Sequence, residues 1–180
     1  MTSYERFHSI LSSIERDCKI DNLLAKIESS DFLIAPSSTQ YNYAYQGGLL
    51  DHCLAIYEKL KLIRGVDDDS TKICGLLSEI YKMNFYEDYL RNIKVNDEWK
   101  QKPSYKVMSI ENRFIYGSNH TTSEFMIRHY IPLTLEESVA ILALDTDFTR
   151  AGSYDAFNKY TLPSELYAAH MLATFNSTKK

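Results

Sequence analysis

The chain has 180 residues, 44% of them apolar and 13% aromatic, enough to bury one substantial core and too few to expect two. Its formal charge of -4 at pH 7 gives no general pull toward a phosphate backbone, which disfavours nucleic acid as a main partner. No apolar run approaches a membrane span and charges run throughout "MTSYERFHSILSSIERD", so one cytoplasmic domain over residues 1–180, without signal peptide or membrane contact, is expected.

Helical periodicity dominates. Tyr4, Phe7, Ile10, Leu11 and Ile14 follow i, i+3, i+4 spacing and predict an amphipathic first helix with Glu5, Ser9 and Glu15 in water. The three cysteines, Cys18, Cys53 and Cys74, lack a C-x-x-C pair and sit among apolar helical neighbours, so they read as reduced core thiols. A short second helix is predicted through "IDNLLAKIESS"; Pro36 and a Ser/Thr cluster in "LIAPSSTQYNY" then make a polar, aromatic loop. Gly47 and Gly48 lead into a helix striped by Leu50, Leu54, Tyr57 and Leu60, which ends near Gly65. In "VDDDST" the acceptors and negative charge suit a helix start; the spacing and glycine of a calcium loop are missing, so capping is the reading. That helix is expected to run through "STKICGLLSEIYKMNFY". From Tyr86 to Tyr116 the pattern loosens, and β-prone pieces around Trp99 and Val107, separated by Asn-Asp and Lys-Pro breaks, predict a small hairpin. Helical spacing resumes in "TSEFMIRHYIP". Thr134 and Glu137 form a T-x-x-E capping box, and a last helix begins near "LPSELYAAHMLATF" with Pro163 early and Ser164 as cap.

The segments "APSSTQYNYAYQGGLLDHCLAIY", "GLLSEIYKMNFY", "RNIKVNDEWKQKPSY", "IPLTLEESVAIL" and "LYAAHMLATF", in that order, resemble the small HD-domain phosphohydrolases carried by many bacteriophages, from roughly Ser30 to Phe175. The resemblance implies an all-α, HD-domain-like helical bundle, here with a small β-hairpin insertion near residues 91–110. It also implies a divalent metal held by a histidine, a His-Asp pair and a later aspartate, which activates water against a phosphate ester.

At the ligand positions the chain departs from that pattern. His52 stands at the first, but the His-Asp pair is replaced by Ser78 and Glu79. The next histidine falls on Asn119 or His120, a further one on Leu144 beside Asp145, and the last aspartate on His170. At least two ligands are lost, so neither a metal nor another cofactor is expected. His52 is read as a buried histidine bonded to a backbone carbonyl. Lys82 and Arg150 are read as solvated groups near helix ends, with an anionic ligand as the alternative.

Tyr41, Tyr43, His52, Glu79, Lys82, Asn119, His120 and His170 are expected to face one vestigial pocket. Tyrosines there, Tyr45 and Tyr81 included, suit a nucleobase or ribose as well as an ordinary core rim. The expected function is that of a catalytically inactive, HD-like phage accessory protein. It would inhibit or sequester a host defence factor by binding a nucleotide-like molecule in the pocket or a host protein on its surface. The alternative is an active metal-dependent phosphohydrolase with ligands rearranged to His52, Glu79, His120 and His170. The residues leave the oligomeric state open.

Overall fold

The computed structural model describes residues 1–115, 117–145 and 155–175. Eight α-helices and one pair of antiparallel strands form among them. Helix α1 (Ser3–Ser12) starts at a capping box between Thr2 and Glu5 and buries Phe7 and Leu11. Helix α2 (Ile20–Glu28) buries Leu23, Leu24 and Ile27. Helix α3 (Gly48–Arg64) is the centre of the body: Leu49, Leu50, Cys53, Ile56, Tyr57 and Leu60 are all buried, on more than one face, as a helix surrounded by others requires. It stops at Gly65, whose φ of 67° is the left-handed cap geometry.

Asp68 opens helix α4 (Asp69–Leu77) by accepting from the Thr71 N–H, the capping role that the aspartate run predicts. A Cβ on Gly75 would stand 2.6 Å from the Tyr57 Cα, so α4 crosses α3 in backbone contact. The helix expected through Tyr86 ends earlier, at Leu77; a short 3-10 turn (Ile80–Lys82) follows, and Asn84 at φ 53° redirects the chain. Helices α5 (Asn119–Tyr130) and α6 (Leu135–Ala143) come next, the latter with both halves of the Thr134–Glu137 capping box made. After α7 (Asp155–Lys159), helix α8 (Leu162–Phe175) packs along α3 and α6. Ser164 is not its cap: its hydroxyl donates to the Thr161 carbonyl from inside the first turn. All three cysteines are unpaired thiols, Cys53 and Cys74 buried and Cys18 half-buried. No helix among the described residues is long and apolar enough to cross a membrane.

The all-α class needs correction, because the strands are a substantial element. Strand β1 (Tyr86–Val95) pairs with β2 (Glu98–Val107) over ten residues each, from Tyr86 opposite Val107 to Val95 opposite Glu98. The molecule is therefore mixed, and the hairpin starts five residues before the expected bound at 91. Two local causes explain this. Asn96 and Asp97, which read as a break, both have positive φ (50° and 66°) and form the two-residue turn that matches strand twist. Pro103 lies inside β2 opposite Leu90, which a two-stranded sheet tolerates because each strand is an edge whose missing N–H can face away from the partner.

Far from the hairpin, Glu137 is fully buried and takes a two-pronged contact from the Arg16 guanidinium, at 2.8 Å on each oxygen. Arg16 also donates to the Pro132 carbonyl at 2.7 Å, and Ser70 donates to Glu137. This ties the chain after α1 to α4 and α6. Arg16→Met should cost about 3–5 kcal/mol, since it strands a buried carboxylate without its cation. Arg16→Lys should recover only part of that, because a lysine cannot reproduce the fork. Urea denaturation checks both, and a loss below about 1 kcal/mol for Arg16→Met would mean that Glu137 is neutral.

Candidate functional site

A cavity of about 1130 Å³ opens between the 37–45 loop, the 80–82 turn, the start of α5 and the end of α8. The loop is shaped by close backbone contacts. Ser37 N–H donates to the Tyr43 carbonyl at 2.9 Å, Ser38 Oγ donates to the Asn42 carbonyl at 2.7 Å, and Tyr43 sits at φ 58°. A Cβ on Gly48 would lie 2.1 Å from the Tyr43 oxygen. The second glycine of the pair is thus required for the loop to fold back over α3. Tyr43 is pinned by its hydroxyl to the Ala173 carbonyl (3.1 Å) and Tyr45 to Asp51 (2.9 Å). Tyr41 is 85% exposed at the mouth.

On the floor, Glu79 is 1% exposed. Its Oε1 accepts from His120 Nε2 at 3.0 Å and from His170 Nε2 at 2.9 Å. Its Oε2 receives no aligned hydrogen bond and is held instead by the Lys82 ammonium, 2.5 Å away. Burial pushes the Glu79 carboxyl up, but the charge of Lys82 and the hydrogen bonds from the two imidazoles hold it well below its usual range. The same pair keeps Lys82 charged: burial opposes the charge, Glu79 overcomes it, and its pKa is raised. Beyond His120 stands Asp145. Its Oδ1 faces His120 Nδ1 at 2.7 Å, while its Oδ2 accepts from the His120 backbone N–H at 2.8 Å and from Ser118 Oγ at 2.5 Å. Asp145 thereby caps α5 and grips its histidine together. With a carboxylate at each nitrogen, His120 is an imidazolium. Burial works against it, but the bonds to Asp145 and Glu79 raise its pKa to about 9.

His52 belongs to a different chain of contacts. The Lys82 ammonium donates to the Ser37 carbonyl and hydroxyl at 2.9 and 3.0 Å, so the Ser37 proton is free to point at His52 Nδ1, 2.8 Å away. His52 Nε2–H then donates to Thr174 Oγ1 at 3.0 Å. Both nitrogens are committed and the ring is neutral: burial lowers its pKa to about 3. The expected buried histidine is present, bonded to two hydroxyls rather than to a backbone carbonyl, with Tyr43 stacked on it at 4.7 Å.

Seven of the eight expected pocket residues line this cavity: Tyr41, Tyr43, His52, Glu79, Lys82, His120 and His170. Asn119 does not; it is exposed on the first turn of α5, its side chain meeting the Tyr81 hydroxyl, and His120 is the residue that points inward. Lys82 is buried and paired, not solvated. Arg150 lies outside the described residues. Sequence reasoning missed Ser37, Thr174 and the role of Asp145. The only signal for Asp145 was its position beside Leu144.

The donors do not fit the hydrolytic metal that the resemblance implies. His52 has no nitrogen to give, Ser78 is neutral with its buried Oγ unpartnered among the described residues, and an ammonium already occupies Glu79. Glu79, His120 and His170 do bring three donor atoms within 4.8 Å of one another, but a cation there must displace protons shared with Glu79. Comparison with family models, curated proteins and solved structures finds no match to this chain.

Long-range 1H–15N spectra should show His52 as a neutral Nε2–H tautomer down to about pH 5 and His120 doubly protonated up to about pH 8. A folded pKa of about 9 for His120, against an ordinary 6.5, stabilises the fold fully below pH 6.5. That contribution is lost as pH rises through 9. Asp145→Asn should flatten this fall in unfolding free energy, and an unchanged pH slope would disprove the imidazolium assignment.

Proposed function

We propose that this chain is a metal-independent binding protein that holds a nucleotide-like small molecule in the cavity without hydrolysing it. One observation carries the reading: a cavity of about 1130 Å³ walled by Tyr41, Tyr43, Tyr45 and Tyr81, over a floor whose charges are matched internally. The volume is slightly above the roughly 300–1,000 Å³ that small-ligand sites use. Rings with polar hydroxyl tips suit a flat heterocycle joined to a sugar. The floor supports the absence of hydrolysis. The family's dication would neutralise its carboxylates, and here Lys82 and the His120 imidazolium do so for Glu79 and Asp145. In the phage setting that the resemblance suggests, capture of such a molecule removes a signal on which a host defence factor depends.

Purified protein should contain less than stoichiometric transition metal, and should leave nucleoside mono-, di- and triphosphates and cyclic dinucleotides uncut with added manganese or magnesium. A ligand at a hundredfold excess over its Kd stabilises by about 2.7 kcal/mol, which is roughly 5–10 °C in Tm for a chain of this size. Linear, cyclic and ADP-ribose-type nucleotides should therefore include one giving such a shift, and Tyr41→Ala, at an exposed position, should reduce it without lowering the Tm of the free protein. One equivalent of metal, lost together with hydrolysis in Glu79→Gln, would reverse the reading in favour of an enzyme. A panel without any shift would move the function from the cavity to the surface.

A further inference from the structure

The imidazole nitrogens of the cavity can be accounted for one by one. His52 uses Nδ1 for Ser37 and Nε2 for Thr174. His120 uses Nδ1 for Asp145 and Nε2 for Glu79. His170 uses Nε2 for Glu79, at 2.9 Å, and its Nδ1 has no partner among the described residues. The His170 side chain keeps 22% of its surface exposed and lines the cavity. Because Glu79 accepts at Nε2, that nitrogen carries a proton, which leaves Nδ1 as the one position on the ring for an acceptor lone pair. A carboxylate that fixes one ring nitrogen and leaves the other as an acceptor is the arrangement by which proteins make histidine a base.

We propose that His170 Nδ1 is the acceptor through which the cavity floor reads its ligand, and that the group it reads is a hydroxyl or N–H rather than a phosphate. A lone pair backed by a carboxylate attracts a donor and repels an anionic oxygen. Neither buried cation is spare to offset that repulsion, since Lys82 faces Glu79 and His120 lies between Glu79 and Asp145. For the identity of its ligand this inference rests on the nucleotide-like reading above. It adds an orientation: the sugar hydroxyls go inward to His170, the heterocycle lies by Tyr41, and phosphates stay at the open mouth. A nucleoside then binds about as well as its nucleotide, and loss of the hydroxyl that meets His170 weakens binding about tenfold, the effect of one hydrogen bond left unmade.

Diethyl pyrocarbonate tests the open nitrogen without any ligand. An imidazole lone pair attacks its carbonyl carbon, an N–C bond forms as the C–O bond breaks, and the ethyl carbonate released decays to carbon dioxide and ethanol. Peptide mapping should show His170 modified well ahead of His52 and His120. His170→Ala removes the acceptor and leaves His120 and Lys82 on Glu79; it should fold with a Tm lowered by a few degrees and bind adenosine and AMP about tenfold more weakly. Adenosine, AMP and their 2′- and 3′-deoxy forms complete the set, read by melting shift and by protection of His170. Modification of His170 no faster than of His52 overturns the inference, as does binding of AMP with none of adenosine. Fast modification with no protection or shift from any of these compounds leaves the open acceptor standing and removes the nucleotide-like reading instead.

Discussion

Glu79 carries its charge with almost no contact with solvent, and an ionised carboxylate at such depth is untenable unless other groups replace the water it has lost. The replacements come from three places in the chain: Lys82 from the turn after α4, His120 from the head of α5 and His170 from the middle of α8. One desolvated charge therefore decides how closely these elements approach. Its influence spreads further, because Lys82 also holds Ser37, Ser37 holds His52, and His52 holds Thr174. The loop that forms one wall of the cavity and the helix that forms the other are thus tied to the same carboxylate through an unbroken series of polar contacts. Networks of this kind reward full satisfaction and penalise partial satisfaction, which is why most of the polar atoms around Glu79 have partners, and Ser78 Oγ stands out without one among the described residues.

The electrostatics explain how the site holds its shape with charges of its own. Two carboxylates, Glu79 and Asp145, face two monovalent cations, Lys82 and the His120 imidazolium. Each carboxyl is held below its usual range although burial alone would raise it. Charge is balanced by covalently attached groups, so the cavity does not depend on an ion taken from solution to stay open. Such a site supplies little Lewis acidity, since an ammonium or imidazolium positioned between carboxylates polarises a bound phosphate far less than a bare metal does.

The fold and the site were legible to different depths. Periodicity located the helical segments because each must bury one stripe, and the Thr134–Glu137 box and the Asp68 cap were readable because capping is decided by adjacent residues. The long helix through Tyr86 was misread: its break after Leu77 serves Glu79, whose imidazole partners lie 41 and 91 residues further along, and Lys82, which reaches back 45 residues to Ser37. The mixed class was underestimated because Asn96-Asp97 and Pro103 look like interruptions until their backbone angles and edge position are known. At the site, the positions that the resemblance implies include seven of the lining side chains. Hydrogen-bond direction was not accessible that way, and it is direction that makes His52 a closed link, His120 a cation and His170 an open acceptor. The role of Asp145 escaped notice because its contribution comes from capping a helix distant in sequence.

Among the described residues the hairpin meets the cavity at its base, where the Tyr86 hydroxyl donates to the Ser37 carbonyl at 3.0 Å and the Met108 N–H closes the strand pair on the Phe85 carbonyl at 2.9 Å. Beyond that base its strands pack chiefly on each other, and Leu90 and Trp99 are mostly in solvent. Residues there answer to strand pairing and to little else, whereas those around Glu79 answer to one another. Changes to the arm's length or surface therefore cost the fold little, while a change around Glu79 is felt by every group that shares its charge; one short chain combines a tolerant part with an intolerant one.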